Sequence, residues 1–131
     1  MGRNLLFVYG TLKSGGSNAM TGLYPECVFI GTADVTGRLY DMGGYPAVVL
    51  DDAGYSVVGE VYQIDDPTLA RLDEFEQAAE YNRMPIEVTV NGGTVSCWIY
   101  GPGVELCTGK TRIESGDWIG YEQSSLQNLP K

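Results

Sequence analysis

Eighteen glycines, helped by scattered Asp and Asn, cut this 131-residue chain into short apolar runs. Runs of that length bounded by turn residues suit strands better than helices, so the pattern predicts a β-rich domain with many turns. "NLLFVYG" reads as a continuous apolar strand covered on both faces. "CVFIGTADVTGRLYDMG" reads as one long or bent strand, with Gly31 and Gly37 at bulge or bend positions. "YPAVVLDDAGYSVVGEVYQI" is expected to form two hairpin strands joined by "DDAG", and "YNRMPIEVTVNGGTVSCWIYG" a second hairpin closed by "NGG".

One segment breaks the β pattern. "DDPTLARLDEFEQAAEY" offers Asp66 as N-cap, Pro67 at the first helical position, and Leu69, Leu72, Phe75 and Ala79 on a common face. Weaker helical signals lie in "GSNAMTGLY" and in the tail "SGDWIGYEQSSLQNL". Five or six strands, mostly antiparallel, with one firm helix predict an α+β fold whose sheet curls into a small barrel. The length fits a single domain over 1–131, without repeats, linkers or low-complexity segments.

Charge and residue usage remove whole classes of function. The net charge is −9, and eight basic residues are scattered along the chain, so neither nucleic acid nor an anionic membrane is an expected partner. There is no histidine, which excludes Ser-His-Asp and Cys-His nucleophile sites and any His-ligated metal. Cys27, Cys97 and Cys107 are odd in number and widely spaced, without a CxxC pair. No zinc site or disulfide framework is expected from them, and Cys97 reads as a buried inert thiol. With no signal-peptide pattern and no long apolar run, a cytoplasmic location is the expectation.

On a helical wheel at about 100° per residue, Leu69, Leu72, Phe75 and Ala79 span roughly 120°. Glu76 falls inside that arc, while Asp73 and Glu80 lie just outside it and Glu74 on the far side. Two readings stand open on pattern alone. Glu76 either swings out to water, or pairs with Arg71 or Arg83, or it is a semi-buried carboxyl with a raised pKa suited to proton transfer. Glu60, alternating with Val61 in "GEVY", is expected on the outer sheet face or its rim. "GGYP" at 43–46 is either a rim loop or a plain turn.

Two motifs, taken together, resemble the γ-glutamylcyclotransferase-like (AIG2-like) family, and more narrowly its short branch, which includes the γ-glutamylamine cyclotransferases. Y-G-(T/S)-L is matched by Tyr9, Gly10, Thr11 and Leu12. L-D-x-x-E-G followed by Y-x-R is matched by Leu72, Asp73, Glu76, Tyr81 and Arg83, with Gln77 in place of the glycine. The resemblance implies a small mixed, mostly antiparallel β-barrel flanked by a few helices. It implies cyclisation of a small-molecule γ-glutamyl amine or amino acid to 5-oxoproline and a free amine, with no metal or cofactor, by a monomer or weak homodimer.

The resemblance places the catalytic acid/base at Glu76 and the substrate-binding loop at Tyr9, Gly10, Thr11 and Leu12. The phosphate-loop spacings are missing; a tight turn there either aims backbone N–H groups at one point as an anion site, or Gly10 simply turns the chain. Lys13 is either a further substrate contact or a solvated loop lysine. Tyr100 is expected to line the pocket, and Arg83 to support the site by pairing with Glu76 or Asp73. A non-catalytic module using the same pocket for a γ-glutamyl-like ligand or a partner peptide is the alternative function.

Overall fold

The computed structural model describes residues 4–10, 27–43, 45–51, 53–78, 80–102 and 104–121. Its strands are β1 (Asn4–Val8), β2 (Val28–Asp41), β3 (Pro46–Leu50), β4 (Tyr55–Ile64), β5 (Asn82–Val90), β6 (Gly93–Gly101) and β7 (Thr111–Arg112). The helix α1 (Asp66–Gln77) connects β4 to β5, and a 3₁₀ turn covers Val104–Cys107. The segment "GSNAMTGLY", with its weak helical signal, lies outside the described residues; so does most of the tail. A helical turn at residues 118–121 is the described part of the latter.

The strands form one curled mixed sheet in the order β3-β2-β4-β1-β6-β5, with β7 beside the end of β2. All pairings are antiparallel except β1 with β6, which meet in parallel at Leu6 and Trp98. The architecture is α+β with a curled sheet, as the pattern predicted, in the form of a half-barrel. Curling is visible where the β5–β6 hairpin reaches β2: Asn91 Nδ2 donates to the Ile30 carbonyl at 2.9 Å. A Cβ on Gly31, beside the bulge between Phe29 and Gly31, would come within 2.7 Å of Val90 Cγ2. Only glycine permits that approach.

The hairpin itself closes through Asn91 and Gly92, both at positive φ (52° and 79°), the geometry of a type I′ turn. Pro85 is tolerated because β5 is an edge strand. The "DDAG" segment differs from expectation. β3 and β4 are both strands, yet each pairs with β2 and not with the other. The chain crosses β2 at Gly37, which partners Leu50 on one side and Tyr55 on the other. A Cβ on Gly54 would overlap the Gly37 backbone, so two glycines make the crossing possible.

Helix α1 starts one residue earlier than predicted. Asp65 is the N-cap, its carboxylate accepting the Thr68 N–H at 2.9 Å, and Asp66 and Pro67 fill the first turn. The bond to Thr68 holds the Asp65 carboxyl below its usual pKa. Leu69 and Leu72 are buried, but Phe75 is 56% exposed and does not join the core. The side of the helix turned to the sheet also carries Asp73, whose carboxylate accepts the Tyr100 hydroxyl of β6 at 2.7 Å.

Alternation along the strands separates two cores. Leu6, Val8, Tyr62, Ile64, Leu69, Leu72, Tyr81 and Tyr100 pack between the sheet and α1. Phe7, Val35, Leu39, Val57, Val61, Ile99 and Trp118 pack on the other face. β1 contributes to both, as expected of a strand covered on two sides. Among the described residues no helix is long and apolar enough to cross a membrane.

Candidate active site

The last turn of α1 carries the candidate site. Glu76 is half-buried under the helix, and burial alone raises its carboxyl from an ordinary 4.5 to about 7. Among the described residues no hydrogen bond or ion pair holds that carboxyl. Its backbone carbonyl accepts the Tyr81 N–H at 2.9 Å, which ties the chain leaving the helix back to the residue. Gln77 is exposed and helical, and the left-handed position that turns the chain is taken by Glu80 (φ 64°). No glycine is therefore needed after Glu76, and the Gln77 departure leaves the acid in place.

Three tyrosines lie near enough to feel its charge. Tyr9, at the end of β1, donates its hydroxyl to the Tyr100 carbonyl at 2.6 Å. Tyr81 donates to the Pro46 carbonyl at 2.7 Å, and Tyr100 donates to Asp73 Oδ1 at 2.7 Å. All three have pKa values raised first by burial, and a negative charge on Glu76 opposes ionisation of each. They stay neutral donors around a carboxyl that titrates near neutrality. Tyr45, half-exposed in the loop that joins β2 to β3, tilts its ring over Tyr81 at 6.3 Å. That places Tyr45 of the "GGYP" segment at the edge of this cluster.

Arg83 does not pair with Glu76. Its Nε lies 3.6 Å from Asp73 Oδ1, and its guanidinium stacks on Trp98 with Cζ 4.4 Å from the ring centre. The register explains the grouping: Arg83 is opposite Tyr100 across β5 and β6, and Trp98 is two residues along on the same face. Gly10 is buried, and a Cβ there would overlap the Pro46 ring, so its missing side chain serves the packing of β3 against the loop. Thr11, Leu12 and Lys13 lie outside the described residues.

Some functional groups escaped the sequence reading. Tyr81 was visible only as a motif letter, although its spacing after Glu76 is what brings it back over the helix end. Asp73 was set just outside the apolar arc, yet at i−3 from Glu76 it shares the same helix flank. Glu60 is a correction: it is 7% exposed and accepts the Tyr62 hydroxyl at 3.0 Å. Its alternation with Val61 was read correctly, but the other face of β4 is the one covered by α1 and not an outer surface. Cys97 is a buried free thiol, pushed up to about 11 by burial, which suits an inert core residue.

Residues 6–120 match the family described as γ-glutamyl cyclotransferase, AIG2-like. A Vibrio cholerae protein is 38% identical over 117 residues, 88% of this chain and 96% of its own length. The γ-glutamylcyclotransferase family protein YtfP of Escherichia coli K12 is 36% identical over 122 residues, 90% and 98% of the two chains. The crystal structure of Bacillus subtilis YkqA superimposes with a TM-score of 0.79 at 32% identity, covering 98% of this chain and 44% of that one. A mouse AIG2-like protein superimposes at 0.68 with 28% identity, covering 79% of each chain.

Proposed function

This chain belongs to the γ-glutamyl cyclotransferase, AIG2-like family, and on that premise we propose that it cyclises a γ-glutamyl amine or amino acid using Glu76 as acid and base. The chain is a γ-glutamylcyclotransferase-like enzyme; the identity of the acid and the course of the reaction are the proposal. One observation carries it. A carboxyl with a pKa near 7, bare of bonds among the described residues, stands among three tyrosines that are themselves hydrogen-bonded.

The chemistry suits that arrangement. The substrate's α-amine attacks its own γ-carbonyl, so nucleophile and electrophile arrive already tethered. The new C–N bond closes the lactam, and the amide C–N bond to the leaving amine breaks. An α-ammonium starts with three hydrogens and the lactam nitrogen keeps one. The two released protons reach the leaving nitrogen, which departs as an ammonium. Glu76 accepts protons from the first nitrogen and returns them to the second, which asks for a pKa near the working pH. The neutral tyrosines keep the pocket from stabilising the carboxylate too far. Backbone N–H groups of Tyr9–Leu12 receive the developing oxyanion in this scheme, since the Tyr9 hydroxyl is already committed to the Tyr100 carbonyl.

The test is 5-oxoproline release by wild type and Glu76→Gln, assayed on γ-glutamyl amines, γ-glutamyl amino acids and a γ-glutamyl-lysine isopeptide. The expected outcome is a loss of about 10²–10⁴-fold in kcat for the variant. Wild-type kcat/KM should rise with pH through an apparent pKa of about 7, as Glu76 loses its proton. Comparable release by the two proteins would remove Glu76 from the mechanism.

A further inference from the structure

Resting on the cyclisation reading above, we infer that Arg83, held flat on Trp98 beside Asp73, is the specificity determinant that receives the carboxylate of a leaving amino acid. The enzyme would then favour γ-glutamyl amino acids over γ-glutamyl amines that lack that group.

The guanidinium is built as a receptor and is only partly used as a structural tie. A planar guanidinium has five N–H donors, four of them on its two terminal nitrogens. Asp73 Oδ1 lies 3.6 Å from Nε, which is too long for a hydrogen bond. The same Asp73 oxygen already accepts the Tyr100 hydroxyl at 2.7 Å. Among the described residues no hydrogen bond uses either terminal nitrogen of Arg83, while the side chain keeps 30% of its surface open. Stacking on Trp98 fixes the plane of the group, so its terminal edge is presented in one orientation. An arginine needed only as a counter-ion for Asp73 would gain most from a close bidentate pair, which this geometry does not make.

Position supports the same conclusion. Asp73 and Glu76 are three residues apart on α1, where side chains stand about 5–6 Å from each other. Proton delivery brings the leaving nitrogen to Glu76. In an amino acid the carboxylate carbon is two bonds from that nitrogen, a reach that spans the distance to the Asp73 side of the helix, where Arg83 lies. Charge adds a reason for a local cation. A γ-glutamyl amino acid carries two carboxylates, and a chain of net charge −9 repels it unless a positive group is placed at the site.

The decisive comparison uses two ligands that differ by one carboxylate, γ-glutamyl-alanine and γ-glutamyl-ethylamine. Binding of each is measured by calorimetry in the Glu76→Gln background, so that turnover does not intrude. The alanine ligand should bind at least ten-fold more tightly. Adding Arg83→Gln should bring the ratio of the two Kd values close to one, and Arg83→Lys, which keeps charge without the planar fork, should leave an intermediate ratio. A ratio near one before Arg83 is changed would overturn the inference. So would a preference that survives Arg83→Gln, or an equal weakening of both ligands, which would assign Arg83 to the glutamyl half or to the scaffold. If Arg83→Gln fails to fold, the Arg83→Lys ratio decides alone, with an unchanged ratio counting against the inference. Wild-type 5-oxoproline release is assayed in parallel. Its absence, together with a carboxylate preference that needs Arg83, would sink the cyclisation reading and leave the binding site standing.

Discussion

The two faces of the curled sheet are made by alternate residues of the same strands, yet their chemistry is opposite. Away from α1, Phe7, Val35, Leu39, Val57, Val61, Ile99 and Trp118 form a dry aliphatic and aromatic layer. Beneath α1, Leu6, Val8 and Leu72 share space with Tyr62, Tyr81 and Tyr100 and with the carboxyls of Glu60, Asp73 and Glu76. The first face gains stability from removing apolar area from water. The second gives some of that gain up by desolvating groups that water would keep charged. A fold of this size concentrates its stability on one side of the sheet and its reactive group on the other.

Substitutions on the two faces should therefore change stability in opposite directions. Trp118 is 1% exposed and is the largest fully buried side chain. Trp118→Ala should cost about 3–5 kcal/mol, seen as a fall in Tm of more than about 10 °C. Below that Tm its 5-oxoproline kcat/KM should stay within a few-fold of wild type; a folded but inactive variant would show that the two faces are coupled. Glu76→Gln should do the reverse. The folded protein holds the Glu76 proton up to a pH of about 7, whereas the unfolded chain releases it near 4.5. Stability from the raised pKa is thus present below about 4.5 and lost as pH climbs through 7. At roughly 1.4 kcal/mol per unit, reduced for partial exposure, the loss is about 2 kcal/mol at pH 8. Glu76→Gln should raise Tm by several degrees at pH 8 and by little at pH 4.5. Equal shifts at both pH values would place the gain in packing and not in the charge.

How far the sequence carried this picture depended on whether a feature is local. The apolar run of β1, the long bent β2, the Asn91–Gly92 turn and the start of α1 near Asp65 are local, and they were readable from propensity and spacing. The crossing of β2 at Gly37 was not, because "DDAG" satisfies a hairpin turn equally well and only the pairing of β3 and β4 with β2 distinguishes the two. Glu76 stood out on the wheel as an acid in an apolar arc. Tyr9, Tyr81 and Tyr100 entered only through the family resemblance, since they come from separate strands and loops and no periodicity links them. Phe75 and Glu60 were each put on the wrong side for one reason: the partner surface that decides which side is buried lies far away in the chain.

A smaller effect tests how the polar face is tied to the helix. Tyr100→Phe deletes the hydroxyl that donates to Asp73 at 2.7 Å and leaves the ring in place. Arg83 remains beside the same carboxylate, so the expected cost is about 1.5 kcal/mol, at the low end for a bond to a charged acceptor. A double-mutant cycle with Asp73→Asn should recover most of that energy as coupling. Coupling near zero would mean that the hydroxyl finds water as readily as Asp73, and that Asp73 is held by Arg83 alone.

The smallest effect concerns the residue that looked most like core. Phe75 completes the apolar arc of α1 in sequence, and a helix packed through that arc would lose about 3 kcal/mol or more on Phe75→Gln. In the fold the ring is 56% exposed, because Asp73 and Glu76 occupy the flank that faces the tyrosines and turn Phe75 toward solvent. Phe75→Gln should then change stability by no more than about 0.5 kcal/mol, measured by urea unfolding at pH 5, where Glu76 is protonated. A loss of several kcal/mol would mean that α1 is rotated from the orientation described. Glu76 would then point away from the tyrosines, and the division between a stabilising face and a reactive face would fail with it.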